Sequence, residues 1–199
     1  MWKQIISALR LAIVLTVVTG IVYPLAMTGV AQAVFPKQAN GSLVYVNDKP
    51  VGSILLGQNF TAAKYFHSRP SSAGSDGYDA SSSAGSNLGP TNKKLMDTVK
   101  DNLDKVRTEN QLDAEAKVPS DMVLASGSGL DPDISPEAAY LQVGRVASER
   151  SLSEDKVRSL VASQVQGKTI GLLGEQRVNV LVLNMALDKE DLMDKMASE

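Results

Sequence analysis

The run LAIVLTVVTGIVYPLAMTGVAQAVF, Leu11 to Phe35, decides how the chain is organised, because 25 residues pass there without a charge. As a helix rising ~1.5 Å per residue it would reach ~37 Å, more than a ~30 Å hydrocarbon core. Backbone N–H and C=O groups in lipid need partners inside their own segment, so a helix is the only single-segment solution. Pro24, which lacks an N–H, should kink it. Gly20, Pro24, Thr28 and Gly29 supply small side chains over which a second helix can approach, and we expect that face to dock on a partner. Lys3 and Arg10 are the only charges up to residue 35. They mark the inner flank of a span whose amino terminus is cytoplasmic. The expected organisation is therefore a cytoplasmic segment 1–10, a transmembrane helix 11–35 and one extracytoplasmic domain 36–199.

A cleaved secretory signal is the rival reading of the same stretch, since Ala31-Gln32-Ala33 fits the small-x-small cleavage pattern. It would make the chain a secreted binding protein cut after Ala33. The apolar stretch is, however, about twice the usual ~7–15 residues of a signal core, and Pro24 lies far upstream of the cut. The anchor is the better reading.

The 199 residues suffice for one domain plus an appendage. Beyond residue 35 the chain carries 18 basic and 22 acidic groups, a net charge of −4. Such a balance gives no basic field for a phosphate backbone, so nucleic acid is not an expected partner. With no cysteine and a single histidine, thiolate nucleophiles, disulfides and Cys-His or multi-His metal sites are excluded.

Ser42 to Leu56 has two β-branched apolar runs around Asn47-Asp48-Lys49-Pro50, a hairpin pattern. Residues 67–92 hold 12 Ser or Gly in 26 positions, which by composition alone reads as a flexible linker. Leu95, Val99, Leu103 and Val106 recur at spacings of four and three, predicting a surface helix over 93–110. Ser135-Pro136-Glu137 opens a second helix with a capping hydroxyl and an N1 proline. Ser151-x-x-Glu154 has capping-box spacing and opens a third, ending near Gly167. Arg177 to Asn184, RVNVLVLN, reads as a mostly buried strand containing one polar residue, Asn179. The charged tail from Asp188 reads as a frayed or exposed helix. Helices and strands together predict an α+β domain.

Three constellations invite a chemical reading. Gly167-Lys168-Thr169 looks like the end of a phosphate loop, but position 162 is Ala rather than Gly, and a helix C-cap is the simpler reading. Ser153-x-x-Lys156 has the spacing of a serine nucleophile and its lysine base, and His67 could serve a triad. This keeps a membrane-anchored serine hydrolase or transpeptidase as an alternative, although the completing S-D-N triplet is missing. Asp131-Pro132-Asp133 has too few oxygens for a calcium loop and reads as a turn.

Taken in order, several segments resemble one family. They are Gly57-Gln58-Asn59-Phe60, Tyr65-Phe66-His67-Ser68-Arg69-Pro70-Ser71, Ser86-Asn87-Leu88-Gly89-Pro90-Thr91-Asn92, ASGSGLD from Ala125 to Asp131, Ile134 to Ala139, and Arg177-Val178-Asn179-Val180-Leu181. The family is KdpC, the C subunit of the bacterial Kdp potassium-transporting P-type ATPase. The match covers the anchor and nearly all of the rest, departing at Gln176, Gly144 and Asp133. The resemblance implies an accessory subunit of the cell inner membrane with a periplasmic domain. Its implied partners are a channel-like potassium-binding subunit, a P-type ATP-hydrolysing subunit and a small membrane peptide. ATP and K+ would be handled by the complex, with this subunit as a catalytic chaperone raising ATP affinity. A nucleotide-linked glutamine of the family would fall at Gln142, and Leu172 to Gln176 echoes an ABC-transporter signature. A domain outside the membrane cannot meet cytoplasmic ATP, so indirect action is expected. The resemblance also turns the Ser/Gly stretch from a linker into an ordered loop whose small residues allow close backbone packing.

Overall fold

The computed structural model describes residues 1–197, with side chains through Met193. It divides into two compact units, Met1–Ser53 and Ile54–Glu199.

In the first unit, α1 (Trp2–Val17), a π-helical turn (Val18–Val22) and α2 (Tyr23–Val34) run as one helix. The 33-residue helix Trp2–Val34 is long and apolar enough to cross a membrane, and none of it is buried in the protein. It starts at Trp2 instead of Leu11, because residues 2–10 contain no helix breaker. The long stems of Lys3 and Arg10 let their charges reach polar surroundings from a helix. Pro24 does not interrupt it. The Tyr23 N–H bonds back to the Val18 carbonyl, so the wider π turn absorbs the proline at the start of α2. Phe35, which leaves helical geometry at φ −132° and ψ 54° ahead of Pro36, ends the helix, and the single turn α3 (Pro36–Ala39) follows.

The expected hairpin is present as β1 (Leu43–Val46) and β2 (Lys49–Ser53), which pair antiparallel with Val46 opposite Lys49. Its turn is only Asn47-Asp48, both at positive φ as the tight primed turn requires, so Lys49 and Pro50 belong to the second strand.

The second unit is helical with one minimal sheet, and the mixed class holds. Helix α4 (Lys93–Glu109) matches the predicted range; Asn92 caps it by accepting from the Lys94 N–H, and Val106 is its buried residue. The Ser135 hydroxyl caps α5 (Pro136–Leu141) as expected, but the helix breaks at Gln142 and resumes as α6 (Val143–Arg150). The third helix, α7 (Glu154–Gln164), is capped by Ser153. Ser151 is not the cap: it takes the left-handed conformation that ends α6. The helix also stops before Gly167-Lys168-Thr169, which lies in an arm closed by mutual Gln166 and Arg177 backbone bonds and so is no C-cap.

The predicted strand 177–184 is the main correction. Only β4 (Val178–Asn179) is extended, paired with β3 (Asp133–Ile134), and the chain then turns into α8 (Val180–Ala197). Asn179 is its cap, its Oδ1 accepting from the Val182 N–H at 3.1 Å. Val180, Leu183, Asn184 and Leu187 are all buried, a spacing of three and four that is helical. The tail from Asp188 continues α8, and Asp188 is tied down by Arg150 instead of fraying; residues 198 and 199 lie outside the described residues.

The core gathers Phe66, Val106, Ile134, Ala139, Val143, Val146, Val157, Val161, Val178, Leu183 and Leu187. Phe66 comes from no regular element: residues 54–92 form no helix or strand, yet thread through the unit.

Candidate functional site

An extended segment inside a protein must find partners for its N–H and C=O groups. Around Tyr65 to Ser71 those partners are side chains. The Asn184 carboxamide accepts from the Phe66 N–H at 2.9 Å and donates to the Phe66 carbonyl at 3.0 Å. Gln142 does the same one residue on, accepting from the His67 N–H at 2.7 Å and donating to its carbonyl at 3.2 Å. Arg145 donates to the carbonyls of Ala63 and Tyr65, to Gln142 Oε1 at 2.7 Å and, through Nε, to Asn110 at 3.0 Å. Two amides and a guanidinium thus replace a sheet neighbour.

The side chains of the strap are anchored as well. Tyr65 donates its hydroxyl to Asp188 at 3.2 Å, while the Arg150 guanidinium lies 4.8 Å from the ring centre and pairs with Asp188 at 2.7 Å. His67 Nδ1 sits 3.3 Å from Glu109 and Nε2 faces the Ala62 carbonyl. Burial and the positive charge of Arg145 lower its pKa below the ordinary 6.5, against the Ala62 carbonyl and Glu109. Ser68 bonds to the Gln58 carbonyl, and Ser71 to that of Gly129. Pro70 lies between these fixed points, half-buried.

Arg69 pairs with Asp131 at 2.8 Å. Asp131 also accepts from the Asp133 N–H, the expected turn, and Asp133 meets Arg177 at 3.1 Å and Asn179 at 3.2 Å. Burial raises the Asp133 pKa, with the hydrogen bond from Asn179 opposing it, nearby Asp131 adding to the rise and Arg177 opposing. Asn179 donates in addition to the Ile54 carbonyl at 2.9 Å. Arg69, Arg177 and Asn179 therefore gather around one Asp-Pro-Asp turn.

The Ser/Gly stretch is ordered, as the resemblance implies. Gly129, at φ +67°, packs so closely that an added Cβ would lie 2.6 Å from the Ala84 carbonyl oxygen and 2.7 Å from the Ala73 nitrogen. Asn87, Gly89, Pro90 and Asn92 do not join this cluster: they are exposed, and of the four Asn92 caps α4. In the other unit Gly20 and Gly29 have open space around the position of a Cβ. The Thr28 hydroxyl bonds to the Pro24 carbonyl of its own helix at 2.8 Å. Gly20, Pro24 and Thr28 are spaced by four along one side, whereas Gly29 is about 100° further round than Thr28.

The arrangement is a scaffold. Gln142 is 0% exposed and its carboxamide is fully engaged with His67, Arg145 and Ala138, so it offers no atom to a nucleotide. The Ser153 hydroxyl is committed to capping α7, and the Lys156 ammonium lies 3.3 Å from Glu190, which leaves that pair poorly placed as nucleophile and base. Among the described residues no group of three His, Cys, Asp or Glu could hold a metal ion. Sequence reasoning missed Asn184, Arg145, Arg150 and Asp188. The available signal was a lone polar residue at a buried helical spacing: Asn184 between Leu183 and Leu187, and Arg145 between Val143 and Val146.

A helix long and apolar enough to cross a membrane, followed by a mixed helix-and-strand domain whose inner polar side chains hold its own backbone, defines a class: a candidate membrane-anchored α+β protein. The family is specific. The model for "KdpC: K+-transporting ATPase, c chain" matches residues 5–189, and the chain belongs to this family. The chain is 54% identical to the potassium-transporting ATPase KdpC subunit of Rhodopseudomonas palustris (strain BisB5), over 94% of this chain and 98% of that protein. It is 52% identical to the subunit of the same name from Bradyrhizobium diazoefficiens, over 95% and 98%. The Mycobacterium tuberculosis (strain H37Rv) subunit is 53% identical over 95% of this chain and 100% of its own length. Membership makes this chain a subunit of a potassium-transporting P-type ATPase, and hence one with partner subunits.

Proposed function

We propose that the chain is a non-catalytic accessory subunit of a high-affinity ATP-driven potassium uptake pump. It assembles and stabilises the complex and raises the ATP affinity of the P-type subunit without touching nucleotide. The uncharged part of the helix Trp2–Val34, from Leu11 onward, crosses the cell inner membrane, with residues 1–10 cytoplasmic and the folded domain in the periplasm. The partners are a channel-like potassium-binding subunit, the P-type ATP-hydrolysing subunit and a small membrane peptide. ATP and K+ are handled by the complex.

One observation carries the indirect mechanism. Gln142, the residue to which the family's nucleotide role would attach, is buried and holds the backbone of His67. Its influence on ATP must pass through the fold, as a coupling free energy between the assembled subunits; tenfold in affinity corresponds to about 1.4 kcal/mol. A net charge of −4 beyond residue 35 adds a modest attraction for cations, screened beyond ~8 Å in physiological salt.

The test is recovery of the tagged full chain from membranes in mild detergent. A P-type ATP-hydrolysing protein and a channel-like protein should accompany it in comparable amounts. A chain that emerges alone from cells making all of these proteins would overturn the reading.

A further inference from the structure

Between Gln166 and Arg177 the chain forms a narrow arm whose tip is apolar. At its base the two residues exchange backbone bonds of 2.8 and 3.1 Å, and at its tip the Thr169 N–H bonds to the Leu173 carbonyl at 2.8 Å. Ile170 and Leu172, 91% and 80% exposed, are the most exposed large apolar side chains of the second unit among the described residues; Leu173 is 61% exposed. Ile170 also sits at φ +57°, a conformation that a β-branched residue rarely adopts, followed by Gly171 at +72°. Backbone strain spent on holding an isoleucine in water gives no stability to the free domain, and strain of this kind concentrates at functional positions.

Three physical arguments select what covers the tip. Its three side chains present on the order of 400 Å², the size of an interaction patch. That is about half of the ~800 Å² per side found in independently stable interfaces, so the tip cannot by itself hold two copies together. It suits a partner already kept nearby by another contact, which a shared membrane span provides. A lipid surface is the wrong chemistry. Arms that enter a headgroup layer carry Trp or Tyr and unpaired basic groups. This one has no aromatic residue, Lys168 pairs with Glu175 at 3.3 Å, and Glu175 is highly exposed. The only two charges between Gln166 and Arg177 therefore cancel, and the four residues 170–173 have none, which calls for an uncharged apolar pocket rimmed by polar groups.

We propose that the tip Ile170–Leu173 inserts into an apolar pocket on a neighbouring, different subunit of the pump, as a second attachment besides the helix Trp2–Val34. The inference rests on the accessory-subunit reading and adds to it the surface that docks. Leu172 to Gln176, the stretch that echoes an ABC signature, is then a docking element and not a nucleotide loop.

The experiment uses the assembled complex in native membranes, with Leu172→p-benzoylphenylalanine as a photo-crosslinker and Leu172→Asp as a disrupting variant. Irradiation should yield one adduct with another subunit of the pump. Leu172→Asp should shorten the half-time of the chain's retention on the detergent-solubilised pump about tenfold, the loss expected for one buried leucine. Its own melting temperature should not change, because the site is exposed. An adduct with lipid only, with a second copy of this chain, or with nothing, while wild-type co-purification persists, would overturn the arm's role alone. Failure of wild-type co-purification would bring down both readings.

Discussion

Asn184 holds Phe66 by both of its backbone groups, 2.9 Å to the N–H and 3.0 Å to the carbonyl, across a separation of 118 residues. Phe66 is itself fully buried, so these groups have no water to turn to. Asn184→Leu, of similar volume, should cost about 2–4 kcal/mol, because it strands a buried donor and a buried acceptor together. Urea unfolding of the full chain in detergent measures it. A loss below 0.5 kcal/mol, on the order of a surface change, would mean that the strap is held by something else.

Two glycines, Gly129 in the segment packed against the Ser/Gly stretch and Gly89 within the stretch, should respond in opposite ways. Gly129→Ala places a Cβ 2.6 Å from a carbonyl oxygen at a φ of +67°, and should destabilise by more than ~1 kcal/mol. Gly89→Ala meets nothing within 4 Å and should leave stability within about 0.5 kcal/mol. The same unfolding curves read both, and equal effects would contradict the close packing of residues 71–86 on residues 125–131.

Stability should fall as the pH drops below about 6.5. The His67 pKa is lowered in the fold, so below the unfolded value of about 6.5 the unfolded chain binds a proton that the folded chain refuses. The contribution is complete above pH 6.5 and is lost as pH drops toward the folded value. Melting temperature against pH should show this slope in the wild type and a flatter one in His67→Gln. Identical slopes would remove His67 as the cause.

In the span, Gly20→Leu should reduce recovery of partner subunits in detergent more than Gly29→Leu does. Gly20 shares a side of the helix with Pro24 and Thr28, and Gly29 lies off it. Unchanged recovery with both would argue against docking through this face.

The elements with a clean period or a chemical cap were legible in the sequence: the long apolar helix, the Asn47-Asp48 hairpin, α4, the start of α5 at Ser135 and the presence of α7, whose cap is Ser153 where the capping-box spacing had pointed to Ser151. Residues 177–184 were not, because a β-branched run masked the buried spacing Val180, Leu183, Asn184, Leu187, and Asn179 passed for a strand residue while acting as a cap. The motif Tyr65 to Ser71 could be recognised as important, but its physical role could not be read locally. Its partners Gln142, Arg145 and Asn184 lie 75 or more residues away, and no periodicity connects them.

The central claim is that the chain alters nucleotide affinity only through its assembled partners. Titrating ATP against the isolated full chain, and then against the pump with and without it, tests this most directly. The account predicts no saturable binding to the isolated chain up to millimolar ATP, and tighter ATP binding by the pump once the chain is restored. Saturable binding to the isolated chain, abolished by Gln142→Leu with the fold intact, would contradict it.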